Sequence, residues 1–265
     1  MELITSRENP RIKQLAALIS QKKEREQTGL FVCEGARLCA DATEAGLVPE
    51  AVYITEDSFS RYPEQVSKLL EIAVDAAMIT PEIATRVSDT KQPQGVFAVF
   101  KKLDNSEQAV TIRKDGKYLL LAGLQDPGNM GTMLRCAYAM GLDGAFVEDN
   151  CPDLYSPKVL RSSMGGALRL PVALVPDMQE TIALLRQGGV TVWAAALAPN
   201  AATLKRGLIK APCAVLIGNE GAGLASELID CCDSAVVIPM REGAESLNAA
   251  GAASILMWEI QNSRE

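Results

Sequence analysis

Apolar residues recur along this chain with two different periods, and the alternation between them predicts its architecture. After Asn9-Pro10, a pair that starts helices, Ile12, Leu15, Ala16, Leu18 and Ile19 fall at helical spacing and predict a basic amphipathic helix over 9–24. Short apolar runs at 30–33, 51–54, 73–77 and 96–100 read as strands, separated by helical patterns at 36–46, 63–72 and 81–88. This predicts a small α/β domain over residues 1–101. The stretch 101–117 is polar and charged, so residues 102–117 read as a linker with room for one short strand. From residue 118 the alternation resumes with stronger runs at 118–121, 145–147, 172–175, 190–196, 214–217 and 235–238. Several are apolar throughout, as strands buried on both faces of a parallel sheet must be. Helical patterns at 130–141, 157–168, 177–187, 224–231 and 248–261 complete a second α/β domain over 118–265.

Composition narrows the chemistry. The 265 residues include no histidine, which removes Ser-His and Cys-His nucleophile pairs, imidazole general bases and His-ligated zinc together. The seven cysteines are odd in number, and no two have the spacing of a zinc knuckle or a redox pair, so reduced and mostly buried thiols are expected. No metal site is expected. No apolar run approaches the roughly 20 residues that span a bilayer, and residues 1–15 lack the pattern of a signal peptide, so a cytoplasmic protein with no membrane partner is expected. A net charge of −7 argues mildly against a polyanionic partner. Two local clusters oppose that: Arg7, Arg11, Lys13, Lys22, Lys23 and Arg25, and then Lys158, Arg161 and Arg169. These are either nucleic-acid contacts or solvated helix faces.

Three loops follow predicted strands, where open parallel sheets bind ligands. The first, Gln125-Asp126-Pro127-Gly128-Asn129-Met130-Gly131, leads into a helix carrying Arg135 and exposes free N–H groups suited to a polar or anionic ligand. Gly131, one turn before Arg135, leaves that side chain a clear path towards the strand ends. The second, Gly218-Asn219-Glu220-Gly221-Ala222-Gly223, is neither a dinucleotide fingerprint nor a P-loop, and its glycines imply close backbone approach. The third runs from Ile238 through Met240 to Ser246, Leu247 and Asn248, with Ser246 and Asn248 both suited to cap the Ala-rich helix that follows. The small residues of that helix suit a crowded core or a subunit interface.

In this order, DPGNMGTMLR, IGNEGAG and IPMREGAESLNAAGA resemble the three motifs of the SpoU (TrmH-like) family of RNA 2′-O-ribose methyltransferases, within the SPOUT superfamily. The match covers roughly residues 118–260, and NPRIKQL with LFVCEGARL resembles the substrate-binding domain often joined to it, similar to ribosomal-protein L30e-like folds. The resemblance implies an α/β catalytic domain with a deep trefoil knot, a homodimer, and S-adenosyl-L-methionine held in the knot. By position it implies cofactor contacts at Gly218, Ile238 and Leu247, with Asn219, Met240 and Leu197 nearby, and catalytic roles for Asn129, Arg135, Glu220, Ser246 and Asn248. Arg135 is implied as the base that takes the ribose proton. An ordinary guanidinium stays charged to above about pH 12, so Arg135 equally suits orienting a phosphate and stabilising the developing alkoxide, with Glu220 as its anchor. The implied substrate is RNA, with large-subunit (23S) ribosomal RNA first and transfer RNA second. A non-catalytic RNA-binding protein of the same fold and a nucleotide-dependent oxidoreductase are the competing classes.

Overall fold

The computed structural model describes residues 1–243 and 246–262. The chain forms two compact units, Met1–Leu103 with Asp153–Leu168, and Asp104–Pro152 with Arg169 onward.

The first unit is built on strands β1 (Glu2–Ile4), β2 (Leu30–Glu34), β3 (Ala51–Ile54), β4 (Ala76–Ile79) and β5 (Val96–Lys101), in the order β1-β4-β3-β5-β2. Strands β1, β4 and β3 are parallel, while β5 runs antiparallel to both β3 and β2. The helix expected over 9–24 is two helices, Pro10–Ser20 and Lys22–Thr28, because Gln21 takes an extended conformation where the apolar periodicity gives way to KKEREQT. Asn9 caps the first by accepting the Arg11 N–H at 2.9 Å. Strand β4 begins later than 73–77 predicted, since Val74 is exposed and only the following residues face the core. Strand β1 and the helix Glu56–Arg61 are too short to show a period.

Asp153–Leu168 belongs to this unit through a buried ion pair and an aromatic contact. The Arg25 guanidinium, 4% exposed, donates from Nε to Asp153 Oδ2 at 2.7 Å, with Nη2 2.6 Å from the same oxygen, and from Nη1 to the carbonyl of Ile19 at 3.1 Å and to that of Leu18. The Tyr155 ring lies 4.6 Å from that of Phe31, and its hydroxyl accepts the Leu103 N–H at 2.9 Å. The N-terminal basic cluster is largely committed within the unit. Besides Arg25, Arg11 pairs with Glu2 and Asp75, Lys13 with Glu8, and Lys22 with Glu26.

The second unit carries β6 (Lys117–Leu121), β7 (Gly144–Glu148), β8 (Val172–Val175), β9 (Thr191–Ala195), β10 (Ala202–Thr203), β11 (Cys213–Ile217) and β12 (Ser234–Val237). Their order is β10-β12-β9-β11-β6-β7-β8 and every neighbouring pair is parallel. Strands β6 and β11 are buried along their whole length, as their apolar sequence requires, with Lys117 at the start of β6 the one buried charge. The segment before β6 forms no strand. It makes one 3₁₀ turn at Glu107–Ala109 and lies on the sheet, with Val110 in the core and the Tyr118 hydroxyl accepting from Arg113 N–H at 2.6 Å and donating to the Thr111 carbonyl at 3.1 Å. This topology sets the carboxyl ends of β12, β9, β11 and β6 side by side. Among the described residues no helix is long and apolar enough to cross a membrane.

Candidate active site

The loop after β6 turns at Gly123, whose φ of +63° suits glycine. Asp126 Oδ1 then accepts the Asn129 N–H at 2.8 Å and Pro127 takes the first helical position, so the helix runs Pro127–Ala139 and starts earlier than the 130 that periodicity predicts. The cap is therefore Asp126, and the Asn129 side chain is left to point at the other loops. Asp-Pro ahead of the helix is the pattern that carried this information.

The loop after β11 is organised by Asn219. Its Oδ1 accepts the N–H groups of Gly221 and Ala222, each at 2.8 Å, and its main chain exchanges hydrogen bonds with Gly223 at 3.1 and 3.0 Å. Its Nδ2 donates to the Gly123 carbonyl at 2.8 Å, tying the second loop to the first. At Gly218 a Cβ would lie 2.7 Å from Leu224 and 2.8 Å from the Gly223 carbonyl, so the loop's own tightness demands glycine there.

This fold of the loop turns Glu220 onto the first loop. Glu220 Oε2 accepts the Gln125 N–H at 3.0 Å, and Oε1 accepts the Asp126 N–H at 3.2 Å and Asn129 Nδ2 at 3.0 Å. Partial burial pushes the carboxyl pKa upward, but the donors from Asn129, Gln125 and Asp126 outweigh it and hold Glu220 below the ordinary glutamate value. On the other side, Asn129 Oδ1 accepts from Asn248 Nδ2 at 3.0 Å. Asn248 Oδ1 in turn caps the helix Ala249–Asn262, accepting from Ala250 and Gly251 at 2.9 and 3.2 Å. A hydrogen-bonded line, Glu220 to Asn129 to Asn248, thus joins all three loops.

In the same unit the ends of β9 and β12 and the start of helix Ala249–Asn262 enclose a cavity of about 180 Å³. Leu197, Ile238, Met240 and Leu247 line it, together with Ser246. Leu197 is 81% exposed at its rim. Gly218 and Asn219, the remaining expected cofactor residues, do not line this cavity.

Arg135 is exposed on the Pro127–Ala139 helix and has no hydrogen-bond or ion-pair partner among the described residues. The expected anchoring of Arg135 by Glu220 is not formed, because both carboxylate oxygens are already held by the first loop. Sequence reasoning named this loop and its free N–H groups but not that Glu220 would take those of Gln125 and Asp126, nor the turn at Gly123, because main-chain contacts leave no mark in residue type. Among the described residues no group of His, Cys, Asp or Glu is arranged to hold a metal ion.

Comparison with known proteins places this arrangement. A family model described as the SpoU rRNA Methylase family matches residues 116–258, and one described as the MRM3-like substrate binding domain matches residues 9–98. The chain is 32% identical over 261 residues to the 23S rRNA (guanosine(2553)-2'-O)-methyltransferase RlmP of Bacillus subtilis, covering 98% of this chain and 100% of that one. Among solved structures it is similar to an AdoMet-bound rRNA methyltransferase from Sinorhizobium meliloti, with 28% identity, a TM-score of 0.84, and coverage of 97% of this chain and 96% of that one. It is equally similar to the SpoU methyltransferase AviRb from Streptomyces viridochromogenes in complex with AdoMet, at 28% identity, a TM-score of 0.84, and 97% and 98% coverage. With a family match over more than half its length and a full-length relative above 30% identity, the chain belongs to the SpoU rRNA Methylase family.

Proposed function

We propose that this protein transfers a methyl group from S-adenosylmethionine to a ribose 2′-hydroxyl of large-subunit (23S) ribosomal RNA. The observation that carries the reading is the Glu220–Asn129–Asn248 line, which fixes three loops beside an apolar cavity. The cavity fits the cofactor chemically. Ala195, Val236 and Ile238 offer flat apolar walls for a purine, and the strand ends supply main-chain groups for its polar edge. Leu197, Ile238, Met240, Ser246 and Leu247 would hold it, with Gly218 and Asn219 on the β11 side. When bound, the cofactor supplies an electrophilic methyl group on a sulfonium centre.

The protein's part is alignment and proton loss. The bound cofactor would give its methyl carbon to the ribose oxygen and keep the sulfur–carbon electron pair, and the hydroxyl proton would pass to solvent water. Asn129 uses one amide N–H and one oxygen lone pair within the line, which leaves one of each for a ribose hydroxyl. Such alignment supplies on the order of 7–11 kcal/mol when two reactants are held in attack geometry. Glu220, a carboxylate held below its ordinary pKa, is a weak base at neutral pH and serves to orient Asn129. Arg135 supplies positive charge to the neighbouring phosphate and the developing alkoxide.

Transfer of labelled methyl to total bacterial RNA, followed by nuclease digestion to 2′-O-methylnucleosides, tests this directly. Label in 23S RNA with wild type and none with Arg135→Ala, at unchanged cofactor affinity, is expected. Label in transfer RNA, or cofactor binding with no label in any RNA, would overturn it. Arg135→Lys keeps the charge and loses the planar fork, so strong recovery assigns Arg135 a charge-only role and weak recovery a bidentate phosphate contact.

The depressed pKa of Glu220 has a definite sign. Its contribution to loop order is complete above its ordinary value of about 4.3 and is lost as pH falls through the lower folded-state value. The methyl-transfer rate at saturating cofactor is therefore expected to lose a component only below that pH, and Glu220→Gln to lack that component.

The finer architecture belongs to the same proposal. Helix Ala249–Asn262, reached from β12 near one side of the sheet, packs back on helix Pro127–Ala139 and on β11, which supports a trefoil knot in the second unit. The mixed five-stranded sheet of the first unit supports an L30e-like RNA-binding domain over residues 1–101; residues 102–117 connect it to the catalytic domain we place over 118–265, but from Asp104 onward they pack with the second unit, and Asp153–Leu168 packs with the first. Helix Ala249–Asn262 buries Ala250 and Ala253, while Gly251, Ile255 and Trp258, the last 61% exposed, face solvent. That exposed apolar face supports a homodimer, and Trp258→Glu is expected to shift the sedimentation of the protein towards monomer. We assign the protein to the cytoplasm, where its ribosomal substrate is made.

A further inference from the structure

The first unit contains a second cavity, of about 400 Å³, that the methyl-transfer reading does not use. The size falls within the roughly 300–1,000 Å³ of small-molecule pockets. Its floor is held by Glu34, a buried carboxylate that accepts the Thr90 hydroxyl at 2.9 Å, the Asp89 N–H at 3.3 Å and the Ser88 hydroxyl, and so fixes the 88–90 turn. Arg161 lines the pocket and pairs with Asp89 through Nη2 at 2.6 Å, but its Nη1 is buried without any acceptor. A buried guanidinium nitrogen with no partner is costly unless something fills the place. Met164, also on the wall, is the one non-glycine residue of the described chain at positive φ, +47°. It caps the carboxyl end of the helix Pro157–Ser163, where the left-handed conformation is common, and so places its thioether on the pocket wall. Arg37 and Gln92 are exposed on the rim and have no hydrogen-bond or ion-pair partner among the described residues.

We propose that this pocket binds an unpaired nucleobase of the RNA substrate, distinct from the nucleotide methylated. The proposal takes RNA as the ligand from the function proposed above. The lining favours a base over a phosphate. Leu38 and Met164 give apolar surface for a base face, the Gln92 amide both donates and accepts, and Asp41 on the wall would repel a phosphate but accept from an exocyclic amine. Single-stranded bases splayed from loops are read in this way, by stacking and by edge contacts.

The test uses the full chain with in-vitro transcribed, unmodified 23S RNA, measuring RNA Kd by filter binding and KM and kcat by methyl transfer. Gln92→Ala and Arg37→Ala are each expected to raise Kd and KM about tenfold, the size of a lost base contact, with kcat, cofactor affinity and Tm unchanged. Because Gln92 is uncharged, its effect is expected to leave the salt dependence of binding unaltered. Wild-type RNA affinity in both variants, with methyl transfer intact, would overturn the pocket and leave the function standing. An inert Gln92→Ala with full recovery in Arg37→Lys would also overturn it, assigning a phosphate contact instead. RNA binding weakened by both variants in a protein that transfers no methyl group would support the pocket and overturn the function.

Discussion

Arg25→Ala is expected to lower the Tm of the first unit by roughly 10 °C or more, a loss of about 3–5 kcal/mol. The reason is what remains behind. Asp153, only 12% exposed, would keep a carboxylate with its partner gone, and the carbonyls of Leu18 and Ile19 would lose their donor. Removing one member of a buried pair leaves an uncompensated charge, whereas replacing both by apolar groups can be nearly neutral. Arg25→Met with Asp153→Leu is thus expected to recover much of the loss. A single variant as stable as wild type, by thermal melts followed at two wavelengths, would show that the pair contributes nothing. Since domains have total stabilities of about 5–15 kcal/mol, the predicted loss is large enough to reduce soluble expression.

Asn129→Asp is expected to lower methyl transfer about 100-fold, the scale set by misplacing a reacting group by about 1 Å, while leaving cofactor affinity within about threefold. The substitution is isosteric, yet it removes the N–H that Glu220 accepts and sets two carboxylates against each other at hydrogen-bond distance. The loop after β6 would then swing away from that after β11, and the hydroxyl it orients would leave the line of attack. The cavity residues are untouched, so binding and catalysis separate. Combining it with Glu220→Gln restores a donor opposite the introduced carboxylate and is expected to return part of the rate. Full activity in Asn129→Asp alone would mean that the line between the loops is not what aligns the substrate.

Much of the second unit was legible from apolar runs alone. A strand buried on both faces must be continuous in Leu, Val, Ile and Ala, which is why 118–121, 172–175 and 214–217 read correctly. The five polar residues expected at the site were legible only through their motifs, and one of them, Asn129, is hydrogen-bonded to two others, Glu220 and Asn248. Less legible were local caps and turns. The Asp126 cap, the self-closing loop of Asn219 and the split of the first helix at Gln21 depend on single dihedral choices that apolar periodicity does not encode.

The two α/β patterns, the absence of imidazole chemistry and the three loops that hold the candidate residues were thus settled by the order of residues alone. These follow from local properties: side-chain polarity, period and residue type. That Glu220 serves Asn129 and not Arg135 was settled only in three dimensions, because the choice depends on which N–H groups lie closest once β6 and β11 are neighbours. The same holds for Asp153–Leu168, which joins the first unit through an ion pair spanning 128 positions of the chain. A contact at that separation leaves no periodic trace, since each partner taken alone is an ordinary charged residue.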